Sequence, residues 1–387
     1  SSLLARGLRP PAPLRATLGL PPAWIHSTRG TMRAALANVG RARLLAARPT
    51  AGCSWRLHGA RGVAAKAVIV NASKYDLSCD WSALGKFAEV HRYDDSTQAE
   101  ILERVAGADV VITKELPVPA ELIAQFPPSV KGICEAGTGY NNIDLDAARS
   151  KGLVVCNVPA YSNEAVATLV MTYVLNFSCS MFQQQRRLYD GNRASFTTGM
   201  VGGGGTVGFD LPHTEVQGKT IGLIGGGGRI GLSVAKLALA FDMKVLISDL
   251  AKPRMEGVEW VSIEELLAQS DYVSIHCPLF PSTRHLMDSA KLQQMKKSAY
   301  LINCARGPIV KEVDVIEELK KGTIAGAALD VQEVEPLPAD SPLFTTENLY
   351  ISPHIGWQRL ESRQKLVNTT IENVAAILEG SPQNVVS

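Results

Sequence analysis

Residues 219–249, KTIGLIGGGGRIGLSVAKLALAFDMKVLISD, decide how the rest of the chain is read. Thr220 to Ile224 is a short apolar run rich in β-branched residues. From Arg229 to Phe241 apolar residues recur at helical spacing, at Ile230, Val234, Leu237, Ala238 and Phe241. Lys244 to Ile247 opens a second buried strand, and Asp249 stands just past its end. Strand, glycine turn, helix and strand form the arrangement that holds a dinucleotide. The pyrophosphate sits against free N–H groups at a helix N-terminus, and glycine lets the backbone approach it. Gly226, Gly228 and Gly231 fit G-x-G-x-x-G, while Gly225, Gly227 and Gly231 fit a looser spacing; both registers are open. Asp249 follows Gly231 by 18 residues, the position of a ribose-binding acid. A second glycine run, Gly202 to Gly205, has no helix pattern after it and reads as a loop.

The chain has 387 residues, enough for two or three domains, and 46% hydrophobic content supplies ample core. Its net charge of +2 hides an asymmetry. Residues 1–62 hold ten Arg, no Lys and no acid, and the remainder carries 29 Lys and Arg against 37 Asp and Glu. The acidic body gives no support to a nucleic-acid role. The basic, Pro-interrupted leader resembles an organellar targeting segment, with the mitochondrion as first destination and the chloroplast as the alternative. Sequencing the N-terminus of the cellular protein checks that expectation. The apolar stretch Ala165 to Met181 is broken by Thr168, Thr172, Asn176, Ser178 and Ser180 and reads as a buried helix, not a membrane span. Seven scattered cysteines without C-x-x-C spacing argue for reduced thiols and against a disulfide framework or a metal site.

From Lys66 the folded part alternates. Strands are expected at Lys66 to Ala72, Asp109 to Thr113, Lys131 to Ala136 and Leu153 to Asn157, with helices between them. One long helix, Asn163 to Met181, leads into the dinucleotide unit, where strands end at His276, Asn303, Val331 and Ser352. The final helix, Arg359 to Leu378, cannot found a domain and is expected to pack back on the first one. The boundaries are therefore 1–62 for the leader, 63–162 with 353–387 for a substrate domain, and 163–352 for the dinucleotide domain.

Unusual polar groups follow several strands. Arg306 follows LINCA, Asp330 and Glu335 lie in ALDVQEVEP, and His354 follows ISP. In parallel strands these groups emerge at one crevice with the glycine turn. A guanidinium suits a carboxylate, and a histidine beside an acid suits proton transfer near neutral pH. Singly, each is read more simply as an ion pair, a solvated carboxylate or a packed ring; together, after the glycine turn, they point to chemistry.

The motifs AGTGYNNIDL (136–145), the glycine turn, HCPL (276–279), NCARG (303–307), AALD…EP (327–336) and SPHIGW (352–357) resemble those of the D-isomer specific 2-hydroxy-acid dehydrogenases over about residues 66 to 384. They look most like the glycerate dehydrogenase and hydroxypyruvate reductase branch. The resemblance implies an α/β fold of two Rossmann-like, doubly wound parallel-sheet domains, the substrate domain discontinuous in sequence. It implies Arg306, Glu335 and His354 as the catalytic set, and Gly137, Thr138 and Gly139 with Arg306 around the substrate carboxylate. Arg229 and Ile230 would lie against the pyrophosphate, Asp249 against the ribose, and Cys277, Cys304 and Asp330 near the nicotinamide. NAD is expected over NADP because a carboxylate at Asp249 repels a 2′-phosphate. A homodimer with contacts on the 163–181 helix is implied as well. The extra glycine in the turn and Gln332, where an aromatic is common, depart from the family pattern. Alternatives are a D-lactate or other 2-hydroxy-acid dehydrogenase, and a non-enzymatic NAD-sensing protein of the same fold.

Overall fold

The computed structural model describes residues 65–75, 78–193 and 211–387. The expected leader and the second glycine run lie outside the described residues. The described residues fall in one compact unit built on two parallel sheets.

The first sheet has the order β2-β1-β3-β4-β5. Its strands are β1 (Lys66–Ile69), β2 (Glu89–Arg92), β3 (Val110–Thr113), β4 (Gly132–Glu135) and β5 (Val154–Cys156). Buried apolar runs such as VVIT in β3 are what a sheet covered on both faces requires. Strand β2 was not expected; its EVHR is mostly exposed and carries no buried run, so only pairing with β1 makes it a strand. Strand order reverses between β1 and β3, which makes the ends of those strands a ligand crevice. There Asn71 joins them, its Oδ1 accepting the Lys114 N–H at 3.1 Å and its Nδ2 donating to the Lys114 carbonyl at 2.6 Å.

The second sheet has the order β12-β11-β10-β9-β6-β7-β8. Its members are β6 (Thr220–Ile224), β7 (Lys244–Ser248), β8 (Val258–Trp260), β9 (Tyr272–Ile275), β10 (Tyr300–Asn303), β11 (Gly326–Leu329) and β12 (Leu349–Ile351). The order reverses between β6 and β9, so the glycine turn after β6 and the HCPL segment after β9 face one crevice. The three-residue β8 is a further strand that the sequence pattern did not reveal.

The expected helix 163–181 is corrected to two helices, Asn163–Cys179 and Met181–Tyr189, bent by 70°. Ser180 takes φ +51°, and Asn176 Oδ1 accepts the Phe182 N–H at 2.8 Å, capping the second helix. Ten of the first helix's residues are buried, against the Arg229–Ala240 helix among others. Among the described residues no single helix is long and apolar enough to cross a membrane; this bent pair passes only by length and composition.

The chain's end returns to the first sheet. Leu366, Val367, Ile371, Val374 and Ile377 of the helix Leu360–Leu378 share a core with Ile69, Ile112, Cys134 and Cys156. Val386 then donates its N–H to the Val155 carbonyl at 2.8 Å.

Candidate active site

The glycine turn divides its tasks. Gly225 takes φ +72°, and a Cβ there would lie 2.5 Å from the Cys277 nitrogen. Gly231 packs on Gly226, where a Cβ would meet backbone at 2.5 Å. Gly227 donates its N–H to Asp249 Oδ2 at 2.8 Å, and Gly228 caps the twelve-residue helix Arg229–Ala240, where a Cβ would make only an ordinary contact, 3.7 Å from the Gly225 carbonyl oxygen. The left-handed residue is therefore Gly225, the close turn–helix contact is Gly226 with Gly231, Gly227 faces the Asp249 carboxylate, where a Cβ would lie 2.9 Å from Oδ2, and Gly228 is the least crowded. These features fit a dinucleotide: a helix N-terminus with free first-turn N–H groups, no side chain over it, and a carboxylate at the neighbouring strand end. Asp249 also accepts the Leu250 N–H at 2.6 Å, which fixes its carboxylate beside the turn. Ile230 lines the adjoining cavity, whereas Arg229 is exposed and outside that lining.

That cavity, about 470 Å³, is lined from both sheets. The first sheet contributes Gly137 to Gly139 and the second His276, Cys277, Cys304, Arg306, Asp330 and His354. Among the described residues, the N–H groups of Gly137, Thr138 and Gly139 donate to no protein acceptor. Thr138 is anchored otherwise: its Oγ1 donates to the Val158 carbonyl at 3.0 Å and its own carbonyl accepts Asn157 Nδ2 at 2.7 Å. Arg306 crosses to this turn so closely that a Cβ on Gly139 would lie 1.6 Å from its Nη2. Asn303 staples the Arg306 loop, donating to the Arg306 carbonyl at 2.9 Å and accepting the Ala305 N–H at 3.0 Å. Gly307 allows the chain to press on Gln332, where a Cβ would meet carbonyl oxygen at 1.8 Å.

His354 Nδ1 lies 2.9 Å from Glu335 Oε2. Burial opposes ionisation of Glu335, but the hydrogen bond and charge of His354 and the Gln332 N–H outweigh it, so its carboxyl titrates below the ordinary value. His354 itself sits at φ +53°, a left-handed turn that needs support. Buried Asp330 supplies it: its carboxylate accepts the Ile355 and Gly356 N–H groups at 2.8 Å each and the Ser352 hydroxyl. Asp330 thus lines the cavity and also pins the turn presenting the histidine. Gln332 is buried and donates from Nε2 to the Leu329 and Ser352 carbonyls at 3.1 and 3.2 Å, spanning the two strand ends that an aromatic would only cover.

The thiols here are protonated: burial pushes Cys277 up to about 11 and Cys304 well above its usual value. Burial pushes His276 down to about 4, so it is neutral at pH 7, and its Nε2 is enclosed without a partner among the described residues.

Three groups were missed in the sequence. Lys114 is fully buried, with its Nζ 3.0 Å from Glu115 Oε1 and 4.1 Å from the Trp357 ring centre. Burial works against its charge, but Tyr161, Glu115 and Glu135 outweigh that and hold it as a cation. Glu115 lines the cavity beside Arg306 and His354. Glu135, at the end of β4, accepts the Glu115 N–H at 2.9 Å and Asn142 Nδ2 at 3.0 Å. The available signal was the same one that found Arg306: charged residues directly after a buried strand.

The family profile for the D-isomer specific 2-hydroxyacid dehydrogenase NAD-binding domain matches residues 179–356. The chain is 34% identical over 314 residues to a hydroxypyruvate reductase of Blautia hydrogenotrophica, covering 80% of this chain and 95% of that one. It is 35% identical over 304 residues to a glycerate dehydrogenase of Methylorubrum extorquens, covering 77% and 92%. Among solved structures, a glyoxylate reductase from Paecilomyes thermophila superposes with a TM-score of 0.73 at 28% identity, covering 84% of this chain and 98% of that one.

Proposed function

The chain belongs to the D-isomer specific 2-hydroxyacid dehydrogenases, and we propose that within that family it reduces a small 2-oxo acid, hydroxypyruvate to D-glycerate first and glyoxylate second, with NADH preferred to NADPH. The observation that carries this reading is the Arg306 guanidinium packed on Gly139 in the cavity that His354 lines, with Glu335 2.9 Å from the imidazole Nδ1. Bound at the glycine turn, NADH supplies a hydride to the C2 carbonyl. Arg306 and the N–H groups of Gly137 to Gly139 hold the carboxylate, and Arg306 also polarises the carbonyl. With Nδ1 facing Glu335, His354 has Nε2 for donating a proton to the emerging alkoxide, and Glu335 fixes the ring. Asp249 supports NADH because its carboxylate repels a 2′-phosphate.

A panel of hydroxypyruvate, glyoxylate, pyruvate and 3-phosphohydroxypyruvate under fixed NADH tests the reading. Hydroxypyruvate is expected to give the highest kcat/KM. Turnover of none of these acids would end the enzymatic reading, and a clear preference for pyruvate would end the substrate assignment.

A further inference from the structure

Among the described residues, Glu115 is the one carboxylate that lines both cavities meeting at Arg306 and His354, of about 470 and 880 Å³. It stands at the C-terminal end of β3, at the reversal point of the first sheet, where ligands are placed by topology. Its backbone has φ +55°, a left-handed conformation unusual for a non-glycine residue. The conformation is held from beneath: buried Glu135 accepts the Glu115 N–H, and Asn71 clamps the Lys114 peptide from β1. Lys114, seated on Trp357, holds Glu115 Oε1, while the Glu115 side chain remains 44% exposed. Partial burial pushes the Glu115 carboxyl up, but Lys114, His354 and Arg306 outweigh it, so the group is ionised in the cleft. Lys74 is the other cation here; it is exposed and lines only the larger cavity.

A 2-oxo acid has three groups on C2. Arg306 and the 137–139 turn take the carboxylate, and His354 takes the carbonyl oxygen. The remaining substituent must face what is left of the wall. We propose that Glu115 reads this substituent: it accepts a hydrogen bond from a hydroxyl on C3 and repels an anionic group, such as a phosphate, at the same place. The inference rests on the reading of the cleft as a 2-oxo-acid reductase site and adds the residue that selects an uncharged hydroxyl, not an anionic group, on C3. A site that offers a hydrogen-bonding partner discriminates strongly against a substrate lacking the matching group, more strongly than an apolar wall can reject an added hydroxyl.

The test measures kcat/KM with NADH for hydroxypyruvate, pyruvate and 3-phosphohydroxypyruvate in the wild type, Glu115→Gln and Glu115→Ala. In Glu115→Ala the hydroxypyruvate-to-pyruvate ratio is expected to fall by about tenfold or more, since the acceptor is gone. In Glu115→Gln an amide oxygen can still accept from Lys114, and the phosphorylated acid is expected to gain about tenfold relative to hydroxypyruvate. A purely structural role would lower all three rates together and leave the ratios alone. Ratios within about threefold of wild type in both variants overturn the proposal. Should Glu115→Ala not fold, the phosphate ratio in Glu115→Gln decides. A wild type inactive on every 2-oxo acid overturns the reductase reading and this proposal with it, whereas an active wild type with unmoved ratios overturns this proposal alone.

Discussion

Gly139 and Arg306 show how little room the cleft leaves at its centre. A methyl group on Gly139 would lie 1.6 Å from Arg306 Nη2 and 2.7 Å from its Cζ. Because the obstructed group is the far end of a long side chain, Gly139→Ala should fold normally and displace the guanidinium. We expect kcat/KM for hydroxypyruvate to fall by about 100-fold, with an unchanged circular dichroism spectrum; activity within threefold of wild type would contradict the placement. Glu135 carries a different consequence. Burial pushes its carboxyl from 4.5 up to about 7, despite the hydrogen bonds from Asn142 and Glu115 and the charge of Lys114. Its folded pKa is raised, so between pH 4.5 and 7 the folded state binds more protons than the unfolded one. The stability it contributes is present below pH 4.5 and lost as pH rises through 7, by up to about 1.4 kcal/mol per unit. Glu135→Gln should lack that decline, so its melting temperature relative to wild type rises from pH 5 to pH 8. A constant difference across that range would count against a protonated Glu135. At this scale Arg306, Glu335 and His354 stood out in the sequence because each lies within a few residues of an apolar strand's end and because the motifs around them resemble the family's. Lys114 and Glu115 follow β3 in the same way, yet no motif singled them out. Nothing local shows that Trp357 lies under the lysine ammonium, that Asn71 clamps the Lys114 peptide, or that Glu135 holds the Glu115 N–H.

The strand–turn–helix unit around Asp249 acts as one piece. Asp249 is tied to the turn through the Gly227 N–H, and it stands at the end of β7 beside β6. Replacing it with serine removes the charge and keeps a hydroxyl for the ribose. Asp249→Ser should raise the kcat/KM ratio of NADPH to NADH by about tenfold or more; no change in that ratio would show that Asp249 does not face the 2′ position. The β-α-β pattern of this unit was plain from period and composition, but the roles of its four glycines were not. They depend on Cys277, which lies some fifty positions on and touches Gly225 only because β9 pairs with β6. The helix that breaks at Ser180 teaches the same lesson. Its apolar pattern runs on into Met181, and the capping bond from Phe182 to Asn176 decides the 70° bend.

Across the whole molecule, exposed apolar groups gather on and after the helix Asn163–Cys179: Leu175, Met181, Phe182 and Tyr189, the last 85% exposed. A second copy of the chain is expected to cover this face, and light scattering should give the mass of two chains; a monomer at micromolar concentration would refute it. By itself the sequence determined the two parallel sheets, the dinucleotide turn and the identity of the groups at the strand ends. Those follow from hydrophobic period and glycine placement, which act over a few residues. Tertiary structure alone decided that Arg306 reaches Gly139, that Asp330 props the His354 turn, and that Glu115 lines the cavity beside them. Each of those contacts joins residues far apart in the chain, and burial of a charge is a property of everything packed around it.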